Sequence, residues 1–250
     1  MAQHWPRADH DPDKMTREIL LFLPGMMCDA RLFAPQSEAF EPVYDIRVAE
    51  LSGAASITQL ASHILQDLPQ GTVNLAGLSM GGIVAMEMVR LAPQRIARLA
   101  LLDTNHLADP PERRQIRDTQ IAAVRGGALR QVIVEEMKPN YLAARHRDNR
   151  ELLALLIDMA MGLGSDVFVE QSLALRDRPD QTGTLKAVSA PTLILHGVED
   201  MLCTPQRHRD MAALVENARL MPISDAGHIT TLENPVAVNA ALTGWLARPL

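Results

Sequence analysis

The stretch Val73-Asn-Leu-Ala-Gly77-Leu-Ser79-Met-Gly81-Gly82 decides how this chain folds. It begins with an apolar run typical of a buried strand and continues into a helical pattern that ends before Pro93. Its centre has the form G-x-S-x-G, and glycines two residues before and after a serine permit a sharp turn from strand to helix. Such a turn projects the serine hydroxyl above the sheet edge. The stretch therefore predicts that Ser79 is a nucleophile.

A glycine-rich turn with an incidental helix-capping serine would contain the same letters. The glycine and serine content of the chain predicts the G-x-S-x-G pattern by chance only about 0.03 times. The strand before it and the helix after it lower that expectation further. A phosphate-binding loop is excluded because the stretch has neither a G-K-[ST] ending nor the G-x-G-x-x-G spacing.

Short apolar runs resembling the one before Ser79 recur along the chain and alternate with helical patterns. The runs cover residues 19–23, 43–48, 72–76, 98–102, 192–196 and 218–223. The helical patterns cover residues 56–68, 80–92, 205–215 and 235–247. This alternation predicts an α/β fold with a mostly parallel sheet of about six strands flanked by helices.

Residues 106–186 interrupt this alternation with helical periodicity and no convincing strand, which predicts an inserted helical cap. Helix breakers divide the insertion into about four helices: Gly126-Gly127, Pro139 and Gly162 to Gly164. Its charged residues predict solvated helix faces, with an anion-binding role as the less favoured alternative: Arg113, Arg114, Arg117 and Arg145 to Arg147. The core then consists of residues 17–105 and 187–250, preceded by a flexible leader over residues 1–16.

Composition excludes several classes of function. The 24 Lys and Arg residues against 30 Asp and Glu give a formal net charge of -6, which disfavours nucleic acid as a partner. Two cysteines are too few for a disulfide framework, and the polar N-terminus lacks a signal-peptide pattern. The longest apolar runs are shorter than the ~20 residues of a membrane-spanning helix. We therefore expect a cytoplasmic protein that binds neither membrane nor nucleic acid; its oligomeric state cannot be predicted.

A serine nucleophile needs a histidine base, and the chain has eight histidines. Six occupy less suitable places in the leader, in helical patterns, in a charged cluster or at a strand end: His4, His10, His63, His208, His146 and His196. His228 follows the last strand, on the edge where Ser79 projects, and His106 begins the insertion on the same edge. His228 is the favoured base and His106 the alternative.

The base needs a carboxylate to orient it. Asp200 follows the strand at 192–196 after a short turn, which places it at the carboxyl edge of the sheet, where ligands bind in open α/β folds. Asp103 follows the preceding strand and is the competing acid, and Glu199 is a weaker candidate.

With these residues in the chain order Ser79, Asp200, His228, the chain resembles the α/β-hydrolase fold superfamily, in particular serine esterases with a helical cap, over residues 17–250. The resemblance implies that Ser79 is the nucleophile, His228 the general base and acid, and Asp200 the orienting acid. It places the cap between the strands that the family numbers sixth and seventh. It implies no metal and no organic cofactor.

The resemblance also implies an oxyanion hole made by backbone N–H groups. The family's His-Gly-x segment corresponds here to Pro24-Gly25-Met26, in which proline replaces histidine. The expected donors are Met26 and Met80, with Met27 as an alternative. Around them we expect a substrate pocket with further contributions from His106, Phe168 and Met201, although the methionines are equally compatible with ordinary core filling.

The resemblance implies a carboxylesterase-like serine hydrolase that cleaves a small carboxylic ester, thioester or lactone through an acyl-enzyme. Two alternatives use the same triad: an acyltransferase and a carbon-carbon bond hydrolase. A ligand receptor that retains only the fold is a further alternative, because fold alone does not prove catalysis.

Overall fold

The computed structural model of the protein describes residues 17–137 and 140–250. A six-stranded sheet, parallel throughout, has the order β2-β1-β3-β4-β5-β6. Its strands are β1 (Ile19–Leu23), β2 (Asp45–Val48), β3 (Val73–Leu78), β4 (Ile96–Leu102), β5 (Thr192–Gly197) and β6 (Ala218–Ile223). The predicted α/β class and parallel sheet are confirmed. The leader over residues 1–16 and the breaker Pro139 lie outside the described residues.

Helices cover both faces of the sheet. They are α1 (Ala34–Phe40), α2 (Ile57–Asp67), α3 (Met80–Leu91), α4 (Pro111–Arg125), α5 (Leu129–Gln131), α6 (Arg150–Arg176), α7 (Thr182–Lys186), α8 (Pro205–Leu214), α9 (Thr230–Glu233) and α10 (Pro235–Leu246). Shorter turns are 3₁₀ at Ala30–Phe33, Pro93–Arg95 and Ala144–His146, and π-helical at Val132–Met137.

The apolar runs in the sequence are explained by burial on both sides of the sheet. In β1, Leu21 and Leu23 enter one hydrophobic cluster, which includes residues of α2 and α3. Leu20 and Phe22 enter a second cluster, which includes residues of α10. Successive side chains of a strand point to opposite faces, so a strand covered on both faces is continuously apolar.

The strand order places the serine turn near the centre of the sheet. From β1 the chain moves outward to β2 and then returns to β3 on the other side of β1. A crevice opens at such a reversal, at the carboxyl ends of the strands. The loop after β1 carries Met26 and the turn after β3 carries Ser79, so both lie at this crevice.

The region between β4 and β5 is helical and fits the expected cap. Helix α4 ends at Arg125, before Gly126, and the predicted breakers Gly162 to Gly164 interrupt α6, since Gly164 has a non-helical φ of 83° and ψ of 179°. Among the described helices, α6 is the one long and apolar enough to cross a membrane by length and composition, a feature that the short apolar runs did not predict. In this fold its residues Leu156 and Phe168 are fully buried.

Candidate active site

Ser79 joins β3 to α3 in a strained backbone conformation. Its φ of 54° and ψ of -114° lie in a region that residues with a side chain rarely adopt. Its N–H donates to Leu102 O at 2.9 Å, which fixes the turn against β4. A Cβ atom at Gly81 would overlap the Leu23 carbonyl, so only glycine allows α3 to begin this close to β1.

Ser79, His228 and Asp200 form a continuous chain of side-chain contacts. His228 Nε2 lies 2.9 Å from Ser79 Oγ, and His228 Nδ1 lies 2.9 Å from Asp200 Oδ2. Both His228 and Asp200 are buried, while Ser79 is half-buried. The backbone N–H of His228 donates to Tyr141 O at 2.7 Å, and the Tyr141 ring meets the imidazole edge-on with centroids 5.5 Å apart. The imidazole is therefore held on three sides.

Two buried carboxyl groups lie behind His228, and their environments differ. Burial opposes the charge of Asp200, but the charge and hydrogen bond of His228 outweigh it and lower the pKa of Asp200 below its ordinary value. Burial and the neighbouring charge of Asp200 raise the pKa of Asp103 well above its ordinary value. Asp103 accepts from Gly197 N at 2.9 Å and from Thr230 Oγ1 at 2.5 Å, and has no hydrogen bond to His228. The structure thus joins Asp200, and not Asp103, to the imidazole.

The expected oxyanion donors lie beside Ser79. As the first residue of α3, Met80 has an N–H without an acceptor inside the helix. A Cβ atom at Gly25 would lie 3.5 Å from Ser79 Cβ, so the loop that carries Met26 runs next to the serine. Among the described residues no acceptor binds the Met26 N–H. The alternative donor, Met27, is occupied because its N–H donates to the side chain of a cap residue at 2.8 Å.

The predicted pocket residues divide into two groups. Met26, Met27, Met80 and Phe168 belong to one buried hydrophobic cluster. Met201 is 69% exposed and does not join them. His106 is buried and has no hydrogen bond to the triad residues; its carbonyl accepts from Gln181 N at 2.8 Å, and the charges acting on it are those of Asp180, Arg207 and Asp210. The structure therefore does not bring Met201 and His106 into the cluster of the other four residues, and the substrate pocket stays a prediction.

Several supporting residues were not predicted from sequence. Gln171 of α6 is the residue that accepts from Met27 N, and its Nε2 donates to Leu51 O at 2.7 Å. Thr104 donates its hydroxyl to Ser79 O at 2.7 Å and its N–H to His208 Nε2 at 3.1 Å. No sequence pattern predicts that a glutamine or a threonine supports a buried loop, since both residue types are mostly found on exposed surfaces.

In the described part of the chain, the cluster that could bring metal-ligating atoms together consists of Asp200, Cys203 and His228. Asp200 Oδ2 and His228 Nδ1 already hydrogen-bond one another. Burial raises the pKa of the Cys203 thiol well above its ordinary value, which disfavours the thiolate that a metal needs. This donor set fits a hydrogen-bonded carboxylate–imidazole pair better than a metal centre.

Comparison with known proteins supports the fold and a general hydrolase role. Residues 52–235 match the model of the alpha/beta hydrolase fold. The structure resembles that of a thermophilic esterase from Thermogutta terrifontis, with 29% identity, 92% of this chain and 90% of the other covered, and a TM-score of 0.84. It also resembles the enol-lactonase of Burkholderia xenovorans LB400, with 21% identity, coverage of 93% and 92%, and a TM-score of 0.84.

A curated relative from Mycobacterium tuberculosis, whose name places it among the non-heme bromoperoxidases, is 28% identical over 195 residues. The match covers 74% of this chain and 71% of that protein. Taken together, the comparisons support a hydrolase role without specifying a substrate.

Proposed function

The chain belongs to the alpha/beta hydrolase fold family, and we propose that it is a carboxylesterase-like serine hydrolase. Its substrate is a small carboxylic ester, thioester or lactone, which it cleaves through an acyl-enzyme on Ser79. The observation that carries this proposal is the hydrogen-bonded chain from Ser79 Oγ through His228 to Asp200, at 2.9 Å in each step.

In the first half of the reaction, Ser79 Oγ attacks the substrate carbonyl carbon while His228 Nε2 takes the hydroxyl proton. Asp200 accepts from Nδ1 and stabilises the imidazolium that forms. The negative charge that develops on the carbonyl oxygen is received by the N–H groups of Met26 and Met80, and losing one such donor would cost on the order of 10² to 10³ in rate. The intermediate then collapses, and the leaving group departs with the proton from His228.

In the second half, water replaces the leaving group. His228, again neutral, takes a proton from water, and the resulting hydroxide attacks the acyl carbon of the Ser79 ester. Collapse of the second intermediate releases the carboxylic acid and returns the proton to Ser79 Oγ. Each half transfers one proton through one imidazole, so no cofactor is needed.

The test compares release of 4-nitrophenol from short and medium 4-nitrophenyl esters by the wild type, Ser79→Ala and Ser172→Ala. Ser172 is a matched control because it is a buried serine whose Oγ has no hydrogen-bond partner among the described residues. We expect Ser79→Ala to lower kcat/KM by on the order of 10⁴ or more, whereas Ser172→Ala retains turnover. Equal turnover by the two variants would contradict the proposal.

A second measurement separates hydrolysis from acyl transfer. An alcohol added as a competing nucleophile intercepts the acyl-enzyme, and its ester is quantified beside the free acid. Free acid as the main product supports a hydrolase; an excess of the new ester would favour an acyltransferase, which uses the same triad.

A further inference from the structure

Two arginines of the cap region share one buried carboxylate. Arg117 of α4 donates from Nε to Asp109 Oδ2 at 2.5 Å. Arg178, just after α6, lies 2.9 Å from Asp109 Oδ1 through one of its terminal nitrogens and donates from Nε to Leu107 O at 2.7 Å. All three charged side chains are buried. The solvated face that the charge pattern predicted for Arg117 is therefore wrong.

This cluster carries more positive charge than its carboxylate neutralises. One carboxylate balances one guanidinium, so the group of Arg117, Arg178 and Asp109 retains a net charge of +1 in a buried place. Burial lowers the pKa of both arginines below the ordinary value, and the nearby charge of Arg113 acts in the same direction. A purely structural ion pair would need only one of the two arginines.

The excess charge lies beside the candidate oxyanion loop. Arg117 directs one terminal nitrogen to Met26 Sδ at 4.0 Å, which is a weak contact for a charged donor. The guanidinium also interacts electrostatically with Tyr141, whose ring contacts His228. Among the described residues, no acceptor binds the remaining terminal nitrogen of Arg117. Donors of a buried cation thus remain available next to Met26.

We propose that Arg117, supported by Arg178, binds a carboxylate of the substrate, so that the ester cleaved is the half-ester of a short dicarboxylic acid. This inference rests on the proposed function, since it specifies the substrate of the same site. A single excess positive charge matches a carboxylate, and a guanidinium binds it with two parallel hydrogen bonds. The contact between Arg117 and Met26 Sδ places the guanidinium beside the residue whose N–H is the candidate oxyanion donor, so glutarate, a short dicarboxylate, is the probe.

The experiment uses a matched pair of esters, mono(4-nitrophenyl) glutarate and its neutral methyl ester. The measured quantity is the ratio of kcat/KM for the anionic ester to kcat/KM for the neutral ester. Arg117→Gln leaves Asp109 paired with Arg178, so the variant contains no orphaned carboxylate. Arg176→Gln is the control, because it removes the same charge from an exposed ion pair on the cap.

We expect the ratio to fall roughly ten- to hundredfold in Arg117→Gln, the loss of a charge-assisted hydrogen bond, and to stay unchanged in Arg176→Gln. Arg117→Lys, which keeps the charge and loses the planar fork, is expected to show an intermediate ratio. An equal ratio in the wild type and Arg117→Gln would overturn the inference, as would a fall of the same size in Arg176→Gln.

Calorimetric titration of the folded proteins with glutarate tests the same site without turnover. We expect the Kd of the wild type to rise roughly ten- to hundredfold in Arg117→Gln and to be retained in Arg176→Gln. No binding to the wild type, or an unchanged Kd in Arg117→Gln, overturns the inference. If no ester is hydrolysed but glutarate binds through Arg117, the proposed function fails while the carboxylate site stands.

Discussion

Replacing Asp200 with asparagine tests how the acid controls the proton of His228. Asp200 Oδ1 accepts the N–H groups of Leu202 at 2.8 Å and Cys203 at 2.9 Å. An asparagine here keeps its carbonyl oxygen toward these two donors and therefore turns its NH₂ group toward His228 Nδ1. Nδ1 must then accept, and the proton moves to Nε2, which faces Ser79 Oγ. An imidazole in this tautomer cannot take the serine proton, so we expect kcat/KM to fall by about 10⁴.

The matched control is Asp103→Asn, a change of the same size in the neighbouring buried carboxyl. Burial and the charge of Asp200 raise the pKa of Asp103, which favours the neutral carboxyl that an asparagine resembles in size and charge. The asparagine oxygen can accept from Gly197 N, and its NH₂ can donate to Thr230 Oγ1 once that hydroxyl rotates. We expect a loss of less than about tenfold in kcat/KM, the effect of a small shift in a supporting hydrogen bond.

The assay is 4-nitrophenyl ester hydrolysis over about pH 5 to 9, with circular dichroism and thermal unfolding of each variant beside it. The reasoning is refuted if Asp103→Asn costs as much as Asp200→Asn while both variants stay folded. That result would place the orienting acid after β4 and not after β5.

Two further predictions concern stability. Gly81→Ala should lower the free energy of unfolding by on the order of 3 kcal/mol because its Cβ would overlap the Leu23 carbonyl. Gly162→Ala, whose Cβ would meet nothing within 4 Å, should raise it by up to about 1 kcal/mol. Denaturant titration of both variants measures the two changes. Burial, chiefly, lowers the pKa of His208 from 6.5 to about 4. Below pH 6.5 the unfolded chain therefore binds more protons than the folded protein, and the free energy of unfolding falls by about 3 kcal/mol as the pH is lowered from 6.5 to 4. Denaturant titrations across this range should show that the free energy of unfolding depends less on pH in His208→Gln than in the wild type. An equal pH dependence in the two proteins would contradict the lowered pKa of His208.

The sequence predicts the centre of the sheet well because the central strands are buried along almost their whole length. Burial on both faces makes β1 continuously apolar and β3 and β5 predominantly apolar, and helical patterns separate these runs. The serine turn can also be predicted from sequence, since only glycine at position 81 allows α3 to approach the backbone of Leu23 this closely. The positions of Asp200 and His228 at the sheet edge follow from the strands that precede them.

The contacts of the cap are harder to predict from sequence because some of its polar residues are buried. Arg117 lies on a helix among exposed charged residues, and its neighbours indicate a solvated face. Its burial depends on Asp109 and Arg178, which lie before α4 and after α6, and on Met26 from the core. Contacts between segments this far apart leave no periodic pattern in the sequence.

The cap also determines which backbone donor remains at the oxyanion loop. Met27 has a φ of 55°, a conformation that a bulky side chain adopts only when its surroundings hold it. Gln171 supplies that support, since its Oε1 accepts the Met27 N–H and its Nε2 donates to Leu51 O, so that both ends of its amide are satisfied in a buried place. With the Met27 N–H occupied, the adjacent N–H of Met26 is left for a substrate oxygen. A cap side chain, and not the loop sequence alone, thus selects the candidate donor.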